Sequence, residues 1–503
     1  MTSSTKSSRK PIKKVSSDSS AISFDLVSNL TYMAAIASGG PERDVILEWT
    51  PKQDYQTVVF FHQVSLLTKK FGFEYARAYR MVARKAKADS LKNLFLRFAG
   101  AISSGVNEVT FLAEEARVER EQYINSYYRS LEALIKWGDA YAALLVSVAL
   151  IVVVAMMSTM LSNLGSAFVI MLTGVMSLVS AFGVYIIFRI APSETTTYMS
   201  RHGPKERRWA KRLIITVAPA GFLLGAVLGF SAGFHFFLLL FGISLLPAGI
   251  MAFLDNGKIS KRDQEIAPFL RSLGNVSAST GTTTSVSLGL LDRRSLATLE
   301  PTIRRLQIRL RKGISPDKSW EAFRDEAGSL LLSRATRMFV DGVQLGGPPE
   351  KVGALAAEYA TDSALMRSRR AVSAAPFAFL VIPLHFAMTG LMVFVLEIMR
   401  AFNFRIAEAS ADLEKNSEGS GLALLPSLPV FQPQAISMLT ILTLVALLTM
   451  TIANALAPKF AVGGHPLTLA LFAGLTCIMT GFNMMVIPPI AVRVMLPEIG
   501  TYG

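Results

Sequence analysis

Residues 235–281 read HFFLLLFGISLLPAGIMAFLDNGKISKRDQEIAPFLRSLGNVSASTG, and the change of character inside that stretch decides the fold. Up to Leu254 it contains no Asp, Glu, Lys or Arg; from Asp255 onward charges recur every few positions. The charged character persists to Val372, where AAPFAFLVIPLHFAMTGLMVFVLEIM (374–399) resumes an apolar run. A charged block held between two runs of this length reads as a soluble domain suspended between membrane helices.

The bulk composition agrees. Hydrophobic residues make up 51% of the 503, and the mean hydropathy of +0.42 is that of an integral membrane protein rather than a soluble one. The single cysteine, Cys477, lies inside an apolar run, which excludes a disulfide framework and a thiolate metal site. Five scattered histidines offer no zinc spacing. The formal charge of +15 fits the basic cytoplasmic loops of a membrane protein.

Outward from the central block, the chain divides into nine segments. Residues 1–21 form a basic arm with almost nothing to bury, predicted to be disordered. No apolar signal core follows, because Phe24–Ile36 is mixed, so the N-terminus is expected to stay in the cytoplasm. Residues 22–137 carry amphipathic helical patterns. Leu26, Leu30, Met33 and Ile36 share one face of the first, which stops at Gly39-Gly40-Pro41. Over Phe73–Ala88, Arg77, Arg80, Arg84 and Lys87 form one cationic stripe. A long helix is predicted from near Glu108 to Trp137, pointing into the first span. Residues 138–188 are a transmembrane hairpin, and 189–212 a basic loop with Arg201, Lys205, Arg207, Arg208 and Lys211. A second hairpin, 213–254, carries Gly221, Gly225, Gly229 and Gly233 at four-residue steps, a ridge that admits a close helix neighbour. The charged block is 255–372. A fifth span covers 373–399, with Pro376 and Pro383 as expected kinks. Residues 400–434 form a polar loop, and 435–503 hold two more spans, the last ended by Pro488-Pro489. The prediction is an all-α polytopic protein with about seven (at most nine) spans. With the N-terminus inside, only Arg400, Arg405, Lys415 and Arg493 of the 51 Lys and Arg fall outside. That bias sets both charged blocks in the cytoplasm and the C-terminus beyond the membrane.

The two charged blocks resemble each other. The first has glycine corners at Gly39 and Gly105, 66 residues apart (105 − 39); the second has them at Gly281 and Gly346, 65 apart (346 − 281). Phe98 and Phe339 each sit seven residues before the second corner. Beyond it, Val109–Glu115 parallels Val352–Glu358 after a two-residue insertion, and both long helices feed a span. A duplicated helical module accounts for this, with a left-handed glycine ending one helix and letting an antiparallel partner begin.

On these features the chain resembles the type II secretion F-domain proteins, the polytopic platform components of type IV pilus-like machines. The resemblance covers most of the chain, as two homologous cytoplasmic F-type helical bundles, each followed by membrane helices. The extra hairpin and the long C-terminal membrane region look more like the archaeal branch. There the stretch Asn29-Leu-Thr-Tyr-Met-Ala-Ala-Ile-Ala-Ser-Gly-Gly-Pro41 is similar to the opening of the archaellum platform proteins. Archaeal adhesion-pilus and secretion platforms are close relatives. The resemblance implies a non-enzymatic protein without cofactor. It implies as partners a cytoplasmic hexameric secretion-type ATPase, filament subunits in the membrane, a second copy of the chain as a homodimer, and the lipid bilayer.

The sequence offers an enzyme reading no constellation to stand on. Gly257-Lys258-Ile259-Ser260 is the nearest approach to a phosphate loop, but Ala252 stands where its first glycine belongs, and lysine is not followed by Ser or Thr. A transporter, the reading from a different class, needs ionisable groups in the spans; His385, Glu397 and Asn483 are the few available, and a lone histidine on an apolar helix is most often a packing residue. In the second block a helix opens at Glu300-Pro301 and ends at Gly313, with Ile303, Leu306 and Leu310 inward and Arg305, Arg309 and Lys312 outward. This face and the Arg77–Lys87 stripe are read either as solvated surfaces beside anionic headgroups or as docking surfaces for an acidic ATPase. Nucleic acid is disfavoured, because no aromatic platform accompanies the charge. The acidic run Glu114, Glu115, Glu119 and Glu121 is interleaved with Arg117 and Arg120, and reads as helix-surface pairing rather than a metal site.

Overall fold

The computed structural model describes residues 19–161, 166–198, 203–292, 294–416 and 433–495. Residues 1–18 of the expected disordered arm, the turn after Leu161, Arg201 and residues 417–432 of the loop before the sixth span lie outside the described residues, while Ser19–Ala21, expected in the arm, open the first helix. The described chain is sixteen α-helices in the order α1 (Ser19–Ala37), α2 (Arg43–Trp49), α3 (Val58–Phe71), α4 (Tyr75–Lys85), α5 (Asp89–Ser103), α6 (Glu108–Leu161), α7 (Ser166–Ile190) and α8 (Lys205–Ala232). There follow α9 (Phe234–Thr280), α10 (Thr284–Leu290), α11 (Glu300–Arg311), α12 (Pro316–Ala327), α13 (Leu330–Gln344), α14 (Pro349–Asn416), α15 (Pro433–Val462) and α16 (Leu469–Met495). Seven of these, α6 to α9 and α14 to α16, are long and apolar enough to cross a bilayer. The chain is an all-α, multi-pass membrane protein.

The helices form two compact units: residues 1–129, 192–204 and 257–369 make one, and 130–191, 205–256 and 370–503 the other. Helices α6, α9 and α14 each contribute to both. At 54 residues, α6 is roughly 80 Å long at 1.5 Å per residue.

The first unit contains both charged blocks, and its centre is α1. The amphipathic pattern expected there is incomplete, because α1 is buried on every side. Leu26, Leu30, Met33 and Ile36 are buried as anticipated, but so are Asp25, Ser28, Asn29 and Thr31. Each of these polar groups therefore needs a partner. Asp25 receives Arg334 of α13 at 2.6 Å and the Gln56 backbone N–H at 2.9 Å. Ser28 accepts from Arg334 and exchanges a bond with Tyr359 of α14 at 2.8 Å. Asn29 donates to Thr57, and Thr31 returns its hydroxyl to the Val27 carbonyl. The Arg334 guanidinium also lies over the rings of Phe24 and Tyr55, a favourable placement for a buried cation. One turn on, Tyr32 donates to Asp341 at 2.8 Å. The first block's opening helix is thus bound by the second block's last two helices.

The helix order repeats. α2 and α10 start at Arg43 and Thr284, α4 and α12 at Tyr75 and Pro316, α5 and α13 at Asp89 and Leu330, and α6 and α14 at Glu108 and Pro349. The separation is 241 residues each time (284 − 43, 316 − 75, 330 − 89, 349 − 108). This register amends the sequence comparison in two places. The left-handed glycine at the first corner is Gly40, with φ 71°, matching Gly281 at 59°; Gly105 and Gly346, at 69° and 89°, match at the same separation. Gly39 instead serves close packing. A Cβ there would lie 2.4 Å from the Leu345 carbonyl oxygen, so the two blocks' corners meet backbone to backbone. The two-residue insertion after the second corner disappears too, since buried Ala116 and Tyr123 fall on buried Ala357 and Ala364 without it.

The second unit is built on two apolar clusters. Val152, Met156, Met176, Met392, Leu396, Leu447 and Met450 join α6, α7, α14 and α15, while Ala218, Leu245 and Ala470 join α8, α9 and α16. Large apolar side chains on the outer faces, such as Phe230, Phe379 and Val227, are open to the lipid such a unit requires. Several helix ends differ from those expected. Pro488 and Pro489 lie inside α16 rather than ending it, and Pro376 and Pro383 lie inside α14; neighbouring helices make prolines tolerable in membrane helices. α14 continues to Asn416, through the first half of the expected loop. The basic loop 189–212 is also divided. Lys205, Arg207, Arg208 and Lys211 ride on the first turns of α8. The preceding strand-like piece bonds into the first unit through Leu330 N–H to Thr196 O and Tyr198 N–H to Gly328 O.

Removing one member of the Asp25–Arg334 pair strands a buried charge, at a cost of about 3–5 kcal/mol. R334L is therefore expected to lower the melting temperature of the detergent-solubilised chain sharply. The double variant D25L/R334L is expected to recover most of that loss, as read by circular dichroism melts.

Candidate docking and packing surfaces

Of the four cations in the first block's stripe, Arg77, Arg80 and Arg84 lie on α4 and are exposed. Lys87 falls beyond the helix, which ends at Lys85. Arg77 rests over the Phe73 ring and Arg80 donates to Ser103. Among the described residues none of the four meets a carboxylate. The opposite face of α4 explains its placement: Ala76, Tyr79, Val82 and Ala83 are buried, with Tyr79 stacked on Phe98 at 4.9 Å.

The second block's basic helix is different. Ile303 and Leu306 of α11 are buried and Leu310 is half-buried. Of the cations expected outside, Arg305 donates to Glu326 of α12 at 2.7 Å, and Arg309 to the same carboxylate. Lys312 sits exposed at the C-cap. The two cationic surfaces are therefore unequal: the α4 stripe presents unmatched charge, whereas on α11 Arg305 and Arg309 are satisfied by Glu326.

The acidic run divides between the surface of α6 and its buried side. Arg117 bridges Glu114 and Glu121 along α6. Glu115 and Glu119 turn inward to Arg97 of α5, at 2.7 and 3.0 Å, and burial pushes the Glu119 carboxyl above its ordinary value. Arg120 reaches across to Glu358 and Asp362 of α14, clamping the two long helices side by side. A second buried knot joins Arg367 to Glu194 and Asp263. Burial raises the Asp263 carboxyl, against the opposing pull of the Arg367 charge. Sequence spacing along one helix finds only the first of these arrangements, since the others pair residues 18 (115 − 97) to 242 (362 − 120) positions apart. Among the described residues no cluster of His, Cys, Asp and Glu is arranged to hold a metal. Gly257-Lys258-Ile259-Ser260 lies in the middle of α9, where no phosphate-binding loop can form.

In the membrane unit the glycine ridge packs within its own hairpin. A Cβ at Gly221 would stand 2.2 Å from that of Ser244, and one at Gly229 would stand 3.0 Å from that of Phe237, both on α9. Gly225 faces the Phe237 carbonyl. Gly233 does not extend the ridge; at φ 118° it forms the turn between α8 and α9. A second close crossing escaped the sequence reading. Gly242 and Gly249 of α9 meet Gly474 and Leu471 of α16, and Gly481 meets Leu239. Two seven-residue glycine spacings, 242/249 and 474/481, are its sequence signal.

The membrane histidine is fully occupied. His385 Nε2 lies 3.0 Å from the Thr480 hydroxyl and 3.2 Å from the Thr476 carbonyl. Its Nδ1 accepts from Asn454, which in turn accepts from the Tyr141 hydroxyl. Asn483 donates to Thr389 and the Phe386 carbonyl, and Glu397 pairs with Arg400. These groups cross-link α6, α14, α15 and α16, and leave His385 no spare valence for a transported ion.

Two curated proteins are similar to the chain. Over 301 residues the chain is 26% identical to flagella accessory protein J of Methanococcus voltae. Over 308 residues it is 26% identical to flagella accessory protein J of Methanocaldococcus jannaschii. Each alignment covers 57% of this chain and 53% of the relative, so the chain spans about half the length of the curated relatives it matches. No family model and no solved structure matches. Similarity to flagella accessory protein J agrees with the archaellum branch of the resemblance read from Asn29–Pro41.

Overpacking a tight helix contact costs typically 1–3 kcal/mol. G221L is expected to lower the melting temperature of the detergent-solubilised chain. G174L, at a glycine whose Cβ would meet nothing within 4 Å, is expected to leave it unchanged.

Proposed function

We propose that the chain is the membrane platform of an archaeal type IV pilus-like filament machine, the archaellum. In this reading it couples a cytoplasmic hexameric secretion-type ATPase to the insertion of filament subunits. The similarity to flagella accessory protein J carries the proposal. The chain itself is non-catalytic in this reading, and the work comes from the ATPase. Both charged blocks and the N-terminus face the cytoplasm and the C-terminus lies outside, as the distribution of Lys and Arg favours. ATPase movement acts on the first unit, and the long helices α6 and α14 carry it along their axes to the membrane unit. The Arg120 clamp supports joint motion of the pair. The glycine-ridged α8–α9 hairpin then shifts to release a subunit's apolar helix from the bilayer, with a second copy of the chain completing the platform. The unmatched cations of α4 favour it over α11 as the ATPase-docking face.

Two measurements test this. The triple reversal R77E/R80E/R84E is expected to abolish co-purification of the ATPase and swimming of a complemented deletion strain, while the melting temperature holds. Retained binding and motility would remove α4 from the mechanism. Orientation is read in a C477S background carrying K92C, at an exposed position of α5. An impermeant maleimide is expected to label it only after lysis; labelling of intact cells would invert the topology.

A further inference from the structure

Beside the α4 stripe, α3 and α4 leave a groove of about 240 Å³ lined by Gln63, Leu67, Phe71, Met81, Val82 and Lys85. Phe71 forms its lip, 69% exposed. Lys85 stands in its wall, and Arg84 and Lys70 are exposed on the same two helices. The internal repeat gives this groove a counterpart. The 241-residue register sets buried Tyr79 and Val82 on buried Trp320 and Phe323, and Lys85 on Glu326. Setting buried Phe61 and Val64 on buried Ile303 and Leu306 places Gln63 on Arg305 and Leu67 on Arg309.

In the second block, then, the three equivalent positions are two arginines and the glutamate that binds both. That block fills the site with its own carboxylate. The first block has the cation without the acid: Arg80, Arg84 and Lys85 stand where α12 carries Glu321, Asp325 and Glu326. An apolar trough walled by unmatched cations is complementary to a segment that brings both missing parts, an apolar side chain and a carboxylate.

We propose that the α3–α4 groove is the specificity site of the docking face. It receives an apolar side chain of the partner ATPase flanked by Asp or Glu, the carboxylate pairing with Lys85 as Glu326 pairs with Arg305 and Arg309. The inference rests on the reading of this chain as an ATPase platform. It adds that docking is a shape-selective contact, where the stripe alone would make it a purely electrostatic one.

The second block supplies the design of the test. The variant Q63R/L67R/K85E copies Arg305, Arg309 and Glu326 into the first block and leaves the net charge of the chain unchanged. A second variant, M81W, fills the trough without altering charge. Binding of the purified ATPase to the full chain in nanodiscs is measured for both, with exposed K92E as control and a melting curve for each. Each groove variant is expected to weaken binding at least tenfold with its melt unaltered, and the control to match wild type. Wild-type affinity in both groove variants overturns the groove while leaving the platform reading intact. Failure of the wild-type chain to bind the ATPase overturns both. If the ATPase is indifferent to the groove variants but binding to vesicles of anionic lipid falls with Q63R/L67R/K85E, the occupant is a headgroup and the proposal fails.

Discussion

One buried ion pair organises the first unit. Arg334 and Asp25 are both removed from water, and a charge so placed is tolerable only when its partner and remaining hydrogen bonds are in position. Asp25 lies in α1 and Arg334 in α13, so the condition ties together segments separated by the four membrane helices α6 to α9. Ser28, Tyr55 and Tyr359 complete the shell around the guanidinium. The result is one mixed core to which both repeats contribute. Gly39, packed on the backbone of the Leu345–Gly347 corner, is a second consequence of the same closeness.

In the membrane unit the corresponding constraint is contact distance. Apolar packing alone distinguishes poorly between helix arrangements when the solvent is itself apolar. Here glycines bring α8 to α9 and α9 to α16, and a polar chain through Tyr141, Asn454, His385 and Thr480 fixes the register of α6, α14, α15 and α16. These hydrogen bonds are buried among apolar helices, so a helix that slides by one position leaves polar groups unpaired.

Sequence patterns carry some of this directly. Long apolar runs give seven spans because hydrocarbon thickness imposes a length that no soluble helix needs. Glycine corners give the repeat because backbone geometry demands glycine there. The character of α1 was harder to read. Its Asp25, Ser28, Asn29 and Thr31 mark a solvated face by every local rule, and only the long-range partners on α13, α14 and the segment around Gln56 show that face to be buried. The basic stripes failed locally in the same way. Arg305 and Arg77 look alike along their own helices, and the carboxylate that distinguishes them lies on a neighbouring helix. Charge read one helix at a time gives position; what neutralises it depends on packing.

The burial of α1 also bears on how the protein is made. Its partners on α13 and α14 leave the ribosome some three hundred residues later, roughly 15–60 s at ordinary synthesis rates. Through that interval a mostly apolar helix waits without α13 and α14 while four spans enter the bilayer. The Asp25 carboxylate and Ser28 hydroxyl that later bind Arg334 and Tyr359 also raise the cost of inserting this nascent segment as a span, so the same side chains guard the newborn chain and lock the finished one.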